Sequence, residues 1–256
     1  MSDIFDSSGR KLAIGPELGR GGEGAVFDLL GNPSRVAKLY DNPLSRSQVD
    51  KLRLMAQRVS VDLERFAAWP LDVITDRSGV AIRGFVMRKL THYEPIHHLY
   101  HPAHRRQRFP KADWGFLLRA ARNLAIAFDT LHNNNVVVGD VNQNNILVSD
   151  NATVALIDCD SFQVRTANGV FRCEVGVSHF TPPELQACHF RDVDRSPNHD
   201  LFGLAVVIFH LLFMGRHPFV GIYSGAGDMP IEKAITEGRF AFGRHAGRFQ
   251  MTPPPN

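Results

Sequence analysis

The chain has 256 residues, a formal net charge of +3 and 44% hydrophobic residues, enough for one large domain or two small lobes with a sizeable core. So small a charge permits an anionic ligand but gives no ground for nucleic-acid binding, and 21 Gly with 15 Pro is too few for a low-complexity chain. Cys159, Cys173 and Cys188 lack CxxC spacing, MSDIFDSSGRKL lacks the apolar core of a signal peptide, and Leu201–Met214 is too short for a bilayer; a cytoplasmic protein with reduced thiols is expected, with no membrane or nucleic-acid partner through this domain.

In chain order, LGRGGEGAVF and RVAKLY flank a turn at Gly31-Asn32-Pro33 and read as a hairpin with a glycine loop. Gly19, Gly21, Gly22 and Gly24 let backbone approach phosphate oxygens without Cβ clashes, although glycines of this kind can equally make a flexible turn. No helix follows, as a dinucleotide-binding fold would require; Lys38 stands on the next strand instead. An amphipathic helix after Pro43 carries Val49, Leu52, Met55 and Val59 at helical spacing. Trp69–Asp76 and Val80–Leu90 read as strands around Arg77-Ser78-Gly79. Residues 92–111 are rich in His, Arg and Pro; Arg105, Arg106, Arg108 and Lys111 make either a patch for an acidic partner or, more simply, a solvated face. His97, His98, His101 and His104 lack the Cys and acid company of a metal site.

Asp113 caps a predicted long helix to His132, with Trp114, Leu117, Leu118, Ala121, Leu124, Phe128 and Leu131 on its buried face. In the stretch that follows, Asp140, Asn145 and Asp158 recur beside short apolar runs that read as buried strands (Val136–Val138, Ile146–Val148, Val154–Ile157). Carboxylates and an amide aimed at one spot suit a divalent cation and a phosphate; the plainer reading is two polar turns of a generic α/β sheet. Beyond them come FTPPELQ and the all-round apolar HDLFGLAVVIFHLLFMG, a helix for a core, then GRHPF and MPIEKAITEGRF.

Glycine loop, lysine, D-x-x-x-x-N, a further aspartate, P-P-E and an Asp-led buried helix, in that order over roughly residues 12–240, resemble the bacterial Hanks-type (eukaryotic-like) Ser/Thr protein kinases. More narrowly, the chain resembles divergent members found beside a PP2C-type phosphatase and a von Willebrand-A protein. The resemblance implies an α+β, bilobal kinase-like fold: a small β-rich N-lobe over 1–90 and a mainly helical C-lobe over 91–256, which stops short of the last helices of an ordinary kinase. It implies ATP with Mg2+ or Mn2+, catalytic roles for Asp140, Lys38, Asn145 and Asp158, and metal binding by Asn145 and Asp158. It places the nucleotide against the four glycines, Val26, Val36, Lys38, the gatekeeper Met87, the hinge Arg88–Leu90 and Leu147. Asp50 is the only acid at a plausible position to pair with Lys38. Asp200 would brace the catalytic loop, and Glu184 would lack its customary arginine partner.

Several departures accompany the resemblance. Val138-Gly139 replaces His-Arg before Asp140, which makes control by loop phosphorylation less expected, although Ser161, Thr166, Ser178 and Thr181 are modifiable. Asn142 and Val177 replace a lysine and a threonine that share one small network. Losing that cation should cost rate, on the order of 100-fold, unless a group such as Arg20 substitutes. D-F-G becomes Asp158-Cys159-Asp160, where Cys159 only partly fills the phenylalanine site and Asp160 must tolerate a glycine's turn. An active Ser/Thr kinase with an atypical loop, a pseudokinase scaffold and a small-molecule kinase all follow from these residues.

Overall fold

A computed structural model describes residues 3–255. The described residues form two compact units: 3–91 together with Ala155–Asp160, and His92–Val154 together with 161–255.

The first unit contains β1 (Ile4–Phe5), β2 (Lys11–Leu12), β3 (Ile14–Arg20), β4 (Gly24–Leu29), β5 (Arg35–Tyr40), α1 (Arg46–Gln57), α2 (Val61–Phe66), β6 (Asp72–Thr75) and β7 (Ile82–Arg88). Its strands join in one seven-stranded sheet of order β2-β1-β6-β7-β5-β4-β3, antiparallel throughout. Residues directly opposite one another in such a sheet point to the same face. The pairs Val26↔Lys38, Lys38↔Phe85 and Val36↔Met87 therefore put all five side chains on one face. Ala37 lies on the other, in a core with Ile4, Leu29 and Ile74. On the Lys38 face, α1 packs Leu52 against Val73, Ile82 and Phe85. A capping box between Ser45 and Gln48 starts α1, which ends before the exposed Val59, so that residue does not join the predicted apolar stripe. Gly24 is demanded by the sheet itself, since a Cβ there would stand 2.0 Å from the Leu39 carbonyl oxygen.

The second unit runs through β8 (Tyr93–Pro95), α3 (Ile96–Tyr100), α4 (Pro102–Arg108), α5 (Trp114–Asn133), β9 (Val136–Val137) and β10 (Ile146–Ser149). β11 (Val154–Leu156) carries the chain back to the first unit, where Leu156 bridges Ala67. Then come β12 (Gln163–Thr166), β13 (Gly169–Phe171), α6 (Pro197–Leu212), β14 (Ile222–Tyr223), α7 (Ile231–Thr236) and β15 (Met251–Thr252). Within this unit β10 pairs with β8, β12 with β9 and β13, and β14 with β15, all antiparallel. Asp113 caps α5 by accepting from Phe116 N–H at 2.7 Å. The helix buries Leu117, Ala121, Leu124, Phe128 and Leu131, but Trp114 and Leu118 face solvent, against the sequence expectation. The His- and Arg-rich run folds as α3 and α4, with His98 Nδ1 at 2.8 Å and Arg108 at 3.6 Å from Glu94 carboxylate oxygens. Among the described residues no helix is long and apolar enough to cross a membrane.

Candidate active site

The first unit presents a lysine amid acids. The glycine turn between β3 and β4 closes with Gly21 N–H donating to Gly24 O at 2.9 Å. Mid-strand in β5, buried Lys38 donates through Nζ to Asp158 Oδ1 at 2.8 Å and to both oxygens of Asp160, at 2.9 and 2.7 Å. Tyr40 OH donates to Asp160 Oδ2 at 2.5 Å. Burial alone would lower the Lys38 pKa; the Asp160 and Asp158 carboxylates outweigh it and push the ammonium up, so Lys38 stays charged at any working pH. Burial, then the same Asp160 charge, pushes the Tyr40 phenol up and keeps it a donor. The two acids differ in access: the Asp160 side chain is 6% exposed and that of Asp158 44%. It is Asp158, not Asp160, that adopts the left-handed backbone, at φ 59°. Cys159 is buried between them, its thiol pushed up by burial and then by the neighbouring carboxylates.

Two sequence expectations are corrected here. Asp50 is exposed on α1 and lies 3.9 Å from Arg46; the acids on Lys38 are Asp158 and Asp160. Arg20 is engaged by Glu17 and Asp41, each at 3.0 Å, and supplies no spare cation. Val26, Val36 and Met87 share the Lys38 face. Beyond them Arg88 reaches the Arg65 carbonyl at 3.2 Å, Lys89 N–H is bound to Ser34 O at 2.9 Å, and half-buried Leu90 follows.

The second unit holds its functional residues by amides and backbone. Asp200, at 1% exposure in α6, accepts from Val138 N–H (2.7 Å) and Gly139 N–H (2.8 Å) and meets His132 Nε2 at 2.8 Å. The two residues before Asp140 are thereby pinned from below. Asn145 Nδ2 donates to Asp140 Oδ2 at 3.0 Å and to its carbonyl at 3.1 Å. Asn142, in the lysine's place, is buried: Oδ1 accepts from Asn144 N–H at 2.8 Å and Nδ2 donates to Asp140 O at 3.3 Å. It shapes the loop and brings no charge. Leu147 is half-buried on β10, opposite Pro95. Val177 is partly exposed, and its carbonyl accepts the buried Thr181 hydroxyl at 2.9 Å. Glu184, expected to lack its customary arginine partner, has His199 Nε2 at 3.7 Å.

Sequence reasoning missed Asp160 as a ligand of Lys38, and it missed Arg195. Gly139 has φ 73°, and a Cβ on it would fall 2.6 Å from Arg195 Nη1. The space beside position 139 is filled by the buried guanidinium of Arg195, from the segment before α6. Arg195 donates to Val175 O at 2.7 Å, stacks 4.1 Å over Phe190, and has its backbone N–H held by Gln163 Oε1 at 2.8 Å. In the sequence nothing separates Arg195 from the neighbouring Arg191 (both sit in one polar run), whereas the acid two residues after Asp158 was a visible signal.

The donor chemistry suits magnesium, which takes one or two carboxylate or amide oxygens and completes its shell with phosphate and water. Asn145 turns its Nδ2 to Asp140 and so keeps Oδ1 as a hard donor, and Asp158 is a half-exposed carboxylate.

The protein kinase domain model matches residues 87–237, a span that includes Asp140, Asn145 and Asp158 but not Lys38. Protein kinase YegI of Escherichia coli (strain K12) is 46% identical over 255 residues, 98% of this chain and 39% of YegI. The chain therefore spans well under half the length of that relative. Serine/threonine-protein kinase STY17 of Arabidopsis thaliana is 28% identical over 106 residues, 40% of this chain and 17% of that protein. A solved structure, the ROP18 kinase domain in complex with AMP-PNP and sucrose, superposes with a TM-score of 0.59 at 15% identity, covering 85% of this chain and 68% of that one; it speaks to the fold alone. A curled antiparallel sheet with its helix, a mainly helical second unit, and the ordered motifs have one common explanation: the chain belongs to the protein kinase domain family.

Proposed function

We propose that this chain transfers the γ-phosphate of ATP to Ser or Thr hydroxyls of a protein substrate, with magnesium or manganese, through an atypical catalytic loop. The observation that carries this reading is the loop of Asp140 and Asn145, hydrogen-bonded together and pinned through Asp200 although its lysine is missing. The glycine-loop amides and the Lys38 ammonium hold the phosphates, where a charge fixed in advance stabilises the negative charge of transfer without reorganisation. Asp140 accepts the hydroxyl proton and aims the oxygen; the oxygen–γ-phosphorus bond forms as the bond to ADP breaks. When bound, magnesium neutralises phosphate charge, and Asn145 and Asp158 would hold it. Val26, Val36, Met87, Arg88, Leu90 and Leu147 frame the base.

A second reading, a pseudokinase that binds nucleotide as a scaffold, draws on Asn142, whose amide is spent on the loop and leaves no cation there. As partners we propose a protein substrate together with a PP2C-type phosphatase and a von Willebrand-A protein, in the cytoplasm; support for these two partners is the subfamily resemblance. The test is transfer from γ-labelled ATP to the protein itself and to a generic basic protein, beside nucleotide affinity. Asp140→Asn should lower transfer by roughly 10²- to 10⁴-fold and leave nucleotide affinity unchanged. Binding without any transfer in the wild type favours the scaffold, and equal loss of binding in the mutant contradicts the role given to Asp140.

A further inference from the structure

In the first unit, Asp160 holds Lys38 by both carboxylate oxygens, whereas Asp50, the acid of α1, lies beside Arg46. The helix turns Leu52, Val49 and Ala56 to the sheet, and its Asp50 stands in solvent beside Arg46. Asp160 is also built to stay put. Tyr40, two residues from Lys38 on the same strand and so on the same face, donates its hydroxyl to Oδ2. The short helical turn Cys159–Ser161 carries the carboxylate, with buried Cys159 anchoring it below. The Lys38 ammonium lies 5.5 Å from the Tyr40 ring centroid and 5.8 Å from that of Phe85, so aromatic faces wall the pair. Asp158, by contrast, gives Lys38 one oxygen and is open to solvent.

We propose that Asp160 is the positioning acid for Lys38, a duty that the helix acid is expected to fill. The inference rests on the phosphotransfer reading above for its kinetic consequence, though not for its geometry. Asp160 keeps Lys38 extended and oriented independently of Asp158, so Asp158 can turn to another ligand. Because the acid follows Asp158 by two residues, one turn sets both groups. Lysine alignment therefore does not depend on where α1 sits. Glycine at 160, the residue that the D-F-G pattern carries, would be a loss here.

Two measurements test this. The first needs no nucleotide: a slowly exchanging NH3+ resonance of Lys38, identified by its disappearance in Lys38→Met, is expected in 15N NMR because the ammonium is buried on three acceptor oxygens. It should vanish in Asp160→Asn and Asp160→Gly, persist in Asp160→Glu, weaken in Tyr40→Phe, and be untouched in Asp50→Ala. The second is kinetic: Asp160→Asn should lower kcat by roughly 10- to 100-fold with ATP affinity unchanged within about 3-fold, and Asp160→Glu should recover most of it. A role in folding alone would weaken binding and kcat together and would not be rescued by Glu. Persistence of the resonance in Asp160→Asn, or its loss in Asp50→Ala, overturns the proposal. Should the wild type transfer no phosphate at all, the function proposed above fails, and the NMR arm still decides the pairing. If Asp160→Asn does not fold, Tyr40→Phe and Asp160→Glu carry the test.

Discussion

The two units hold their functional acids by opposite means. In the first, Asp158 and Asp160 are gathered by one cation, with a tyrosine hydroxyl in support and solvent at Asp158. In the second, Asp200 and Asp140 are held by backbone N–H groups, an asparagine amide and a histidine ring. The half-exposed Asp158 carboxylate can exchange partners at little cost to stability, which suits a group that must meet a ligand, whereas Asp160 is buried with Lys38. A carboxylate at 1% exposure has no such freedom, because the buried Val138 N–H deprived of it is left unsatisfied. Substitution of Asp158 or Asp140 should therefore speak mainly through activity, and substitution of Asp200 through folding.

The largest effect should come from breaking the second network at its centre. Asp200→Ala strips Val138 and Gly139 of their acceptor and should cost about 3–5 kcal/mol, read as a shift in the urea midpoint. A loss below about 1 kcal/mol would erase the contrast between the units.

Acid should come next, and again strike the second unit. His210 in α6 is buried, stacked on Tyr100 and bound to Gly215 O at 3.0 Å; burial, then His217, lowers its pKa to about 4, against the pull of backbone carbonyls. The unfolded chain, titrating near 6.5, binds more protons than the folded one between these values, so stability is present above 6.5 and lost as pH falls toward 4. Between pH 7 and pH 5 that amounts to roughly 2 kcal/mol. Thermal unfolding of His210→Asn at the two pH values should show a correspondingly flatter dependence than the wild type. The Lys38 ammonium, pushed up by the Asp160 and Asp158 carboxylates against the effect of burial, should keep its charge through the same range.

The smallest effect sharpens the comparison within the catalytic loop. Asn142→Ala removes two loop hydrogen bonds and should cost about 1 kcal/mol, visible as a lower melting temperature. No change would mean that Asn142 merely fills the place of the lysine.

Much of the fold and of the candidate site is legible in the residues themselves. Lys38 between apolar neighbours, Asp140 and Asn145 five apart, and the Asp-led apolar helix each carry a local signal: strand alternation, turn residues, an acid in an unbroken hydrophobic run. Helical spacing alone misleads at Trp114, Leu118 and Val59, because it marks a stripe without saying how wide the covering surface is or where the helix stops. Asp50 misleads for a related reason, since position in a helix fixes an angle, whereas a neighbour must also be there to meet the side chain.

The order of elements, the family resemblance and most candidate groups are written in the chain, because they follow from local periodicity and from residue chemistry at short spacing. Tertiary packing selects which acid meets Lys38 and which arginine fills the space beside Gly139. Asp160 and Lys38 are 122 residues apart, and Arg195 stands against Gly139 from beyond β13. Partners so distant are chosen by the packing of whole elements, and no local pattern encodes that choice.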